Sequence, residues 1–432
     1  MKLRSPYDSD IFRLAVPALG TLIAEPLYVL ADTAIVGRLG TQELAGLALA
    51  STVLLTAHAL SIFLAYSTTA VVSRSLGAGD PQTAARYGTQ TLWLALGVGL
   101  AMTLLMATAG DTFLRALGGA GDVLTFAKRY LYISLLGFPF LLLVTAAGGI
   151  YSGRQNTKTP LYISLSAALA NLVIELFLIN GLGFGVGASA LSTVIAQTVS
   201  GSVAAALSLR WSYQHDPHLL PNWSVIGHLF SKGWMLVLRT AALRGALTLS
   251  TAIAARGGAA AIGAHQIGLQ VWFTYALTLD AIAIAGQSLT GTFLGAGAMD
   301  KARAAARRMI ELDAIVGVAG TLGIFFGRDL LAQIFSNDQT VIDLTATVLI
   351  FVALSQPLNS YVFALDGVFI GAGDNSYLGL TMLVSAAVFV VSAWVADVSI
   401  GGLPGLWVAL LMLMISRAFW LWRRFRQDQW AR

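Results

Sequence analysis

Seven ionisable side chains stand inside long apolar stretches of the sequence: Glu25, Asp32, Glu175, Arg239, Arg244, Asp280 and Asp366. Charge in hydrocarbon is costly, so each is a candidate for function. Asn171 and Glu175 are four apart and share one helical face. Asp32 lies near the outer end of its own stretch, at a similar expected depth. Two carboxylates and a carboxamide at one level could share a proton, because like charges in low dielectric favour protonation of one of them. The same oxygens could instead ligate Na⁺. The plainer alternative is that Asp32 snorkels to the interface and Glu175 is a satisfied packing residue.

Arg239, Asp280 and Asp366 invite a different reading. They can neutralise one another as a buried charge network that fixes geometry, or they can contact substrate. Glu25 lies seven residues before Asp32 on roughly the same face, beside Pro26. There is no cysteine, which excludes disulfides and thiol chemistry. The five histidines form no ligand pattern, so no metal site is expected, and His58 and His265 read as packing residues. No H-E-x-x-H, G-x-S-x-G or Walker A motif is present, so neither an enzyme nor direct use of ATP is indicated.

These residues must be positioned by membrane-spanning helices. Of 432 residues, 57% are hydrophobic and 11% charged, with mean hydropathy +0.75. A soluble domain carries roughly 25% charge. Apolar blocks long enough for a ~30 Å hydrocarbon core fall at about 14–36, 44–72, 89–109, 124–150, 160–180, 184–210, 227–255, 260–293, 309–327, 344–372, 376–396 and 402–422. The fold class is therefore all-α integral membrane. With twelve spans both termini share a side. One set of helix ends carries eighteen of the 26 Lys and Arg side chains and the other six, with Arg239 and Arg244 inside spans. The positive-inside rule then puts both termini in the cytoplasm of a multi-pass protein of the inner (plasma) membrane. The net charge of +5 reads as this topology signal and not as a nucleic-acid surface. Tryptophans near span ends, including Trp93, Trp223 and Trp430, read as an interfacial belt, and Trp272 as packing.

The chain also repeats itself at an offset of 218. Leu76-Gly77-Ala78-Gly79 recurs as Leu294-Gly295-Ala296-Gly297, Pro139 as Pro357, Ala146, Gly149 and Gly153 as Ala364, Gly367 and Gly371, and Gly183 and Gly187 as Gly401 and Gly405. Two pseudo-symmetric six-helix bundles follow, over 1–210 and 227–432, joined by a polar cytoplasmic linker at 211–226. Both enter the membrane in the same sense, an arrangement suited to alternating access.

These features together resemble the multidrug and toxic compound extrusion (MATE) transporters. The resemblance rests on Ala31-Asp32-Thr33-Ala34-Ile35-Val36-Gly37, the Leu-Gly-Ala-Gly turns, and Asn171-Leu-Val-Ile-Glu175 followed by Gly187-Ala-Ser-Ala-Leu. Leu279-Asp280 and Leu365-Asp366-Gly367-Val368-Phe369-Ile370-Gly371 resemble the DNA-damage-inducible branch. The resemblance implies cation-coupled antiport of organic, often cationic and amphipathic compounds, with no organic cofactor and with a proton favoured over Na⁺. The coupling site falls on Asp32, with Asn171 and Glu175 beside it. Glu175 stands where many relatives have Asp, and span seven offers arginines where another branch has an acid. The implied partners are small organic substrates and the bilayer, and a monomer is expected. The alternative is a lipid-linked precursor flippase of the same superfamily.

Overall fold

The computed structural model describes residues 5–181 and 185–431. Gly183 of the repeat, and Lys2, Arg4 and Arg432 of the charge count, lie outside the described residues. The chain is helical almost throughout: α1 (Asp8–Val36), α2 (Thr41–Ser61), α3 (Phe63–Gly77), α4 (Pro81–Ala116), α5 (Gly121–Ser134), α6 (Phe138–Gly153), α7 (Lys158–Leu176), α8 (Val186–His215), α9 (Trp223–Ala255), α10 (Ala259–Gly295), α11 (Met299–Phe335), α12 (Gln339–Ala372), α13 (Asn375–Ser399) and α14 (Gly402–Arg426). A π-helical turn, Phe177–Gly181, closes α7.

Twelve apolar spans result when α2 and α3 run together over Thr41–Gly77 and when α5 and α6, bent by 55°, cross as one. Several helices outrun the apolar blocks. α4 begins at Pro81, where Asp80 accepts from the Thr83 amide at 2.9 Å, and α11 begins at Met299, before the polar Asp300–Arg308 stretch. Hydropathy registers only the part of a helix that sits in hydrocarbon, so these polar first turns were invisible to it.

Two compact units divide the chain: a first lobe of Val16–Gly233, and a second of Met1–Ala15 with Trp234–Arg432. Within the first lobe, α6 packs on α3, α4 and α8; within the second, α12 packs on α10, α11 and α14. The repeat in the sequence reappears as repeated joints. A Cβ on Gly149 would lie 2.9 Å from Ala65 Cα, and one on Gly367 would lie 2.8 Å from Ala283 Cα, so only glycine admits the close crossing in either lobe. Gly79 and Gly297 take left-handed φ of 74° and 69° to turn the chain after α3 and α10.

The two repeated prolines behave differently. Each removes the backbone donor that would serve the carbonyl four residues earlier. In α12 the chain stays helical through Pro357, and the stranded Ala353 carbonyl accepts from Thr321 Oγ1 at 2.9 Å. Around Pro139 the helix breaks, and the Leu135 carbonyl accepts from Thr103 Oγ1 at 3.3 Å. Gly137, within this break, keeps an ordinary right-handed conformation, and a Cβ there would lie 3.1 Å from Val194 Cα of α8, so its missing side chain admits a close approach. Pro17 and Pro26 lie inside α1 without interrupting it.

Non-helical chain before α9 is confined to residues 216–222, and this segment is tied to α4. Asp216 is buried and accepts from Arg86 Nε at 3.1 Å and bonds His218 Nδ1 at 2.9 Å. Gln90 takes both the Leu220 carbonyl and the Asn222 amide, and Trp93 donates to the Leu219 carbonyl at 2.8 Å. Trp430 departs from the expected interfacial position. It is buried and stacks on Phe425 with centroids 5.5 Å apart, because the chain folds back in a short turn after α14.

Candidate functional site

Four helices of the first lobe bring polar side chains to one place. α1 carries Tyr28 and Asp32, one turn apart; α5 carries Tyr130; α7 carries Asn171 and Glu175, again one turn apart. α8 presents Ser189, Ser192 and Thr193 at helical spacing, next to its small Gly187 and Ala188. A Cβ at Gly187 would lie 2.8 Å from Arg129 Nε, so the absence of a side chain lets α5 approach, with Tyr130 the next residue.

Asp32, Asn171 and Glu175 are 4%, 2% and 0% exposed. Ser189 donates its hydroxyl to Asp32 Oδ1, and Tyr130 donates to Oδ2 at 3.4 Å. Asn171 Nδ2 donates to Thr193 Oγ1 at 3.1 Å, and the Tyr28 hydroxyl meets the same oxygen at 2.6 Å. Asp32 and Ser189 are the polar neighbours of Glu175. The donors run out before the acceptors do. Among the described residues, both Glu175 oxygens and Asn171 Oδ1 are buried without a hydrogen-bond partner. A buried carboxylate is tolerated only when neutralised or hydrogen-bonded, and among the described residues Asp32 finds such partners while Glu175 does not. Among the described residues, no group of three or more His, Asp or Glu side chains is placed to hold a metal ion.

The second lobe holds the other set of charges. Arg239 Nη2 and Arg417 Nη2 both donate to Asp366 Oδ2, each at 2.5 Å, while Oδ1 has no hydrogen-bond partner among the described residues. Asp280 stands beside Arg239 and Asp366. Arg239, Asp280 and Asp366 are thus brought together as the sequence suggested, but the network includes one residue more. Arg417 belonged to the basic helix ends in the charge count, yet it is 4% exposed and its guanidinium is committed to Asp366. Asp313 on α11 was also missed. It is fully buried, with both oxygens unpartnered among the described residues. Arg244 is exposed on α9.

The histidines and Glu25 stay outside both clusters. His265 is buried, bonds Ser250 at 3.2 Å and stands edge-on to Trp407. His58 bonds Thr145 at 3.0 Å and faces Glu25 at 3.6 Å. Tyr28 and Tyr130 had one available signal: Tyr28 lies four before Asp32, on the same face. Ser189 sat within the Gly187-Ala-Ser-Ala-Leu motif.

A twelve-span helical bundle with buried, uncompensated carboxylates has the character of a membrane transporter, and its sequence relatives bear this out. The MatE family model matches residues 17–177 and again 237–395. The chain belongs to this family of multidrug and toxic compound efflux transporters, which are not enzymes. The two matched segments begin 220 residues apart and end 218 apart, in step with the internal repeat. Protein DETOXIFICATION 43 of Arabidopsis thaliana is 30% identical over 96% of this chain and 90% of its own length. DNA damage-inducible protein F of Escherichia coli (strain K12) is 28% identical over 100% of this chain and 95% of its own. Among solved structures, a MATE crystal structure in the bent conformation superposes with TM-score 0.90 at 21% identity, covering 98% of this chain and 97% of that one.

Proposed function

We propose that the protein is a proton-coupled exporter of organic, often cationic amphipathic compounds, working by antiport and alternating access through Asp32, Glu175 and Asn171. The observation that carries this reading is the wholly buried Glu175 carboxyl, which lies beside Asp32 and meets no donor among the described residues. Two adjacent carboxylates in low dielectric hold a proton between them. Releasing that proton leaves a second negative charge that a cation must answer, so proton and cationic substrate compete for the same charge. A switch from 1:99 to 99:1 needs about 5.5 kcal/mol of differential binding. One buried charge gained or lost is on the scale needed for this. Na⁺ is the weaker candidate, because it would need several oxygens arranged around it and Ser189 and Tyr130 already donate to Asp32.

A lipid-precursor flippase would want free cationic groups, whereas Arg239 and Arg417 are engaged by Asp366. The two bundles act as separate lobes of a monomer in the inner membrane. Both termini and the 211–226 region face the cytoplasm.

Efflux of a lipophilic fluorescent cation from proteoliposomes tests the coupling, with proton and Na⁺ gradients imposed separately. The proton gradient drives efflux in the parent. Asp32→Asn, isosteric with the protonated acid, folds but loses gradient-driven efflux. Glu175→Gln is impaired more than Glu25→Gln, since Glu25 faces His58 away from the cluster. Parent-rate, gradient-driven efflux by purified Asp32→Asn would refute the assignment.

A further inference from the structure

The second lobe contains an acid for which the charge network has no counterpart. α10 and α11 form a hairpin through the three-residue turn 296–298. Asp280 lies fifteen residues before the end of α10 and Asp313 fourteen after the start of α11. Both therefore stand about 20 Å from the turn, at one level. Contacts along the hairpin fix this register. A Cβ on Gly286 would lie 2.9 Å from Met309 Sδ, and Tyr275 donates its hydroxyl to the Val316 carbonyl. On the other side of α11, a Cβ on Gly317 would lie 2.8 Å from Ser360 Cβ, which sets Asp313 against the stretch of α12 leading to Asp366.

The groups beside Asp313 are Asp280 and Tyr275 on α10; Asp366 of α12 stands beside Asp280 in turn and holds Arg239 of α9 and Arg417 of α14. Three carboxylates and two guanidiniums leave one negative charge over. Both guanidiniums are committed to Asp366, and Asp313 has neither a cation nor a hydrogen-bond donor among the described residues. A buried carboxyl that meets neither cation nor donor among the described residues is tolerated when a proton neutralises it.

We propose that Asp313 and Asp280 form a second proton-binding site, in which the Asp313 carboxyl carries one proton that exchanges by way of Asp280. Asp280 keeps partial exposure while Asp313 has none, so the proton leaves the Asp313 oxygen for the Asp280 carboxylate and from there passes to water. The bound proton cancels the surplus charge of this cluster. The site is independent of the Asp32 cluster and extends proton binding to the lobe that the coupling reading leaves idle.

Infrared titration of the full-length protein in lipid nanodiscs tests it. The C=O stretch of a carboxylic acid, which carboxylates lack, is followed against pH in a Glu175→Gln background, so that the first-lobe acid does not contribute. Asp313→Asn, isosteric with the neutral acid, is expected to stay monodisperse and to lose one carboxyl's worth of that band. Asp280→Asn removes the neighbouring negative charge, so Asp313 ionises more easily and its band should vanish at a pH lower by about one unit or more. An unchanged band in Asp313→Asn overturns the proposal. So does an unmoved titration in Asp280→Asn, which remains informative even where Asp313→Asn fails to fold. Loss of proton-driven efflux in Asp32→Asn with this band intact separates the failure of one site from that of the other.

Discussion

Replacing Asp366 by Asn removes the carboxylate oxygen that two guanidiniums share. Arg239 and Arg417 both reach Oδ2 at 2.5 Å, with side chains only 14% and 5% exposed. Breaking a buried ion pair by deleting one partner typically costs about 3–5 kcal/mol. Asp280 stands near enough to answer Arg239, so the substitution strands one charge, that of Arg417, and the expected cost is about 3–5 kcal/mol and not twice that. Arg417→Leu should cost less, about 1.5–3 kcal/mol, because Asp366 keeps Arg239. The double variant Asp366→Asn/Arg417→Leu no longer buries the stranded guanidinium and should be more stable than Asp366→Asn alone, with a coupling energy of about 1–3 kcal/mol. Unfolding of the purified proteins in mixed detergent micelles, followed by tryptophan fluorescence, supplies the four corners of the cycle. Additive losses would show that Asp366 and Arg417 do not depend on one another, and the network reading would fail.

Gly367→Ala should destabilise by about 1–3 kcal/mol, since its Cβ would fall 2.8 Å from Ala283 Cα, while Gly148→Ala meets open space and should be neutral or stabilising in the same unfolding assay. Burial alone would raise the Asp216 carboxyl, but the hydrogen bonds from His218 and Arg86 prevail and hold it below the usual carboxylate range. The tie it makes is therefore present above the unfolded value of about 3.9 and is lost as pH falls toward the lower folded one. Amide exchange across 216–222, corrected for its intrinsic pH dependence, should rise below about pH 4, and Asp216→Asn should show the same loss of protection near neutral pH. Equal protection in variant and parent would refute it.

The parts legible in the sequence were those that alter hydropathy or repeat. Asp32, Glu175 and Asp366 interrupt apolar runs, and the glycines of α6 and α12 share an offset. What escaped has a physical reason in each case. Arg417 precedes the basic end of α14, and hydropathy does not distinguish an arginine one turn inside the bundle from one in water. Asp313 follows the polar Asp300–Arg308 stretch closely enough to pass for part of a helix end. Tyr28 and Tyr130 carry their hydroxyls on apolar rings, and Ser189 and Thr193 weigh little on any hydropathy scale, yet these groups take up the hydrogen bonds of Asp32 and Asn171. The break at residues 135–137, just before Pro139, and the continuity at Pro357 differ through neighbours that no local pattern encodes.

The joints of the two lobes repeat, and their charges do not. Thr103 and Thr321 stand 218 apart and serve carbonyls 218 apart, as do Gly149 and Gly367 with Ala65 and Ala283. At the same offset, Asn171 and Glu175 correspond to Phe389 and Ala393, and Asp313 and Asp366 to Ala95 and Gly148. The two halves thus share their carpentry while their ionisable residues are placed reciprocally, so that each half carries at those positions the uncharged version of the other. Each lobe is in effect the natural mutant of its twin, and the positions at which an acid can be added or erased without disturbing the frame are already written in the chain.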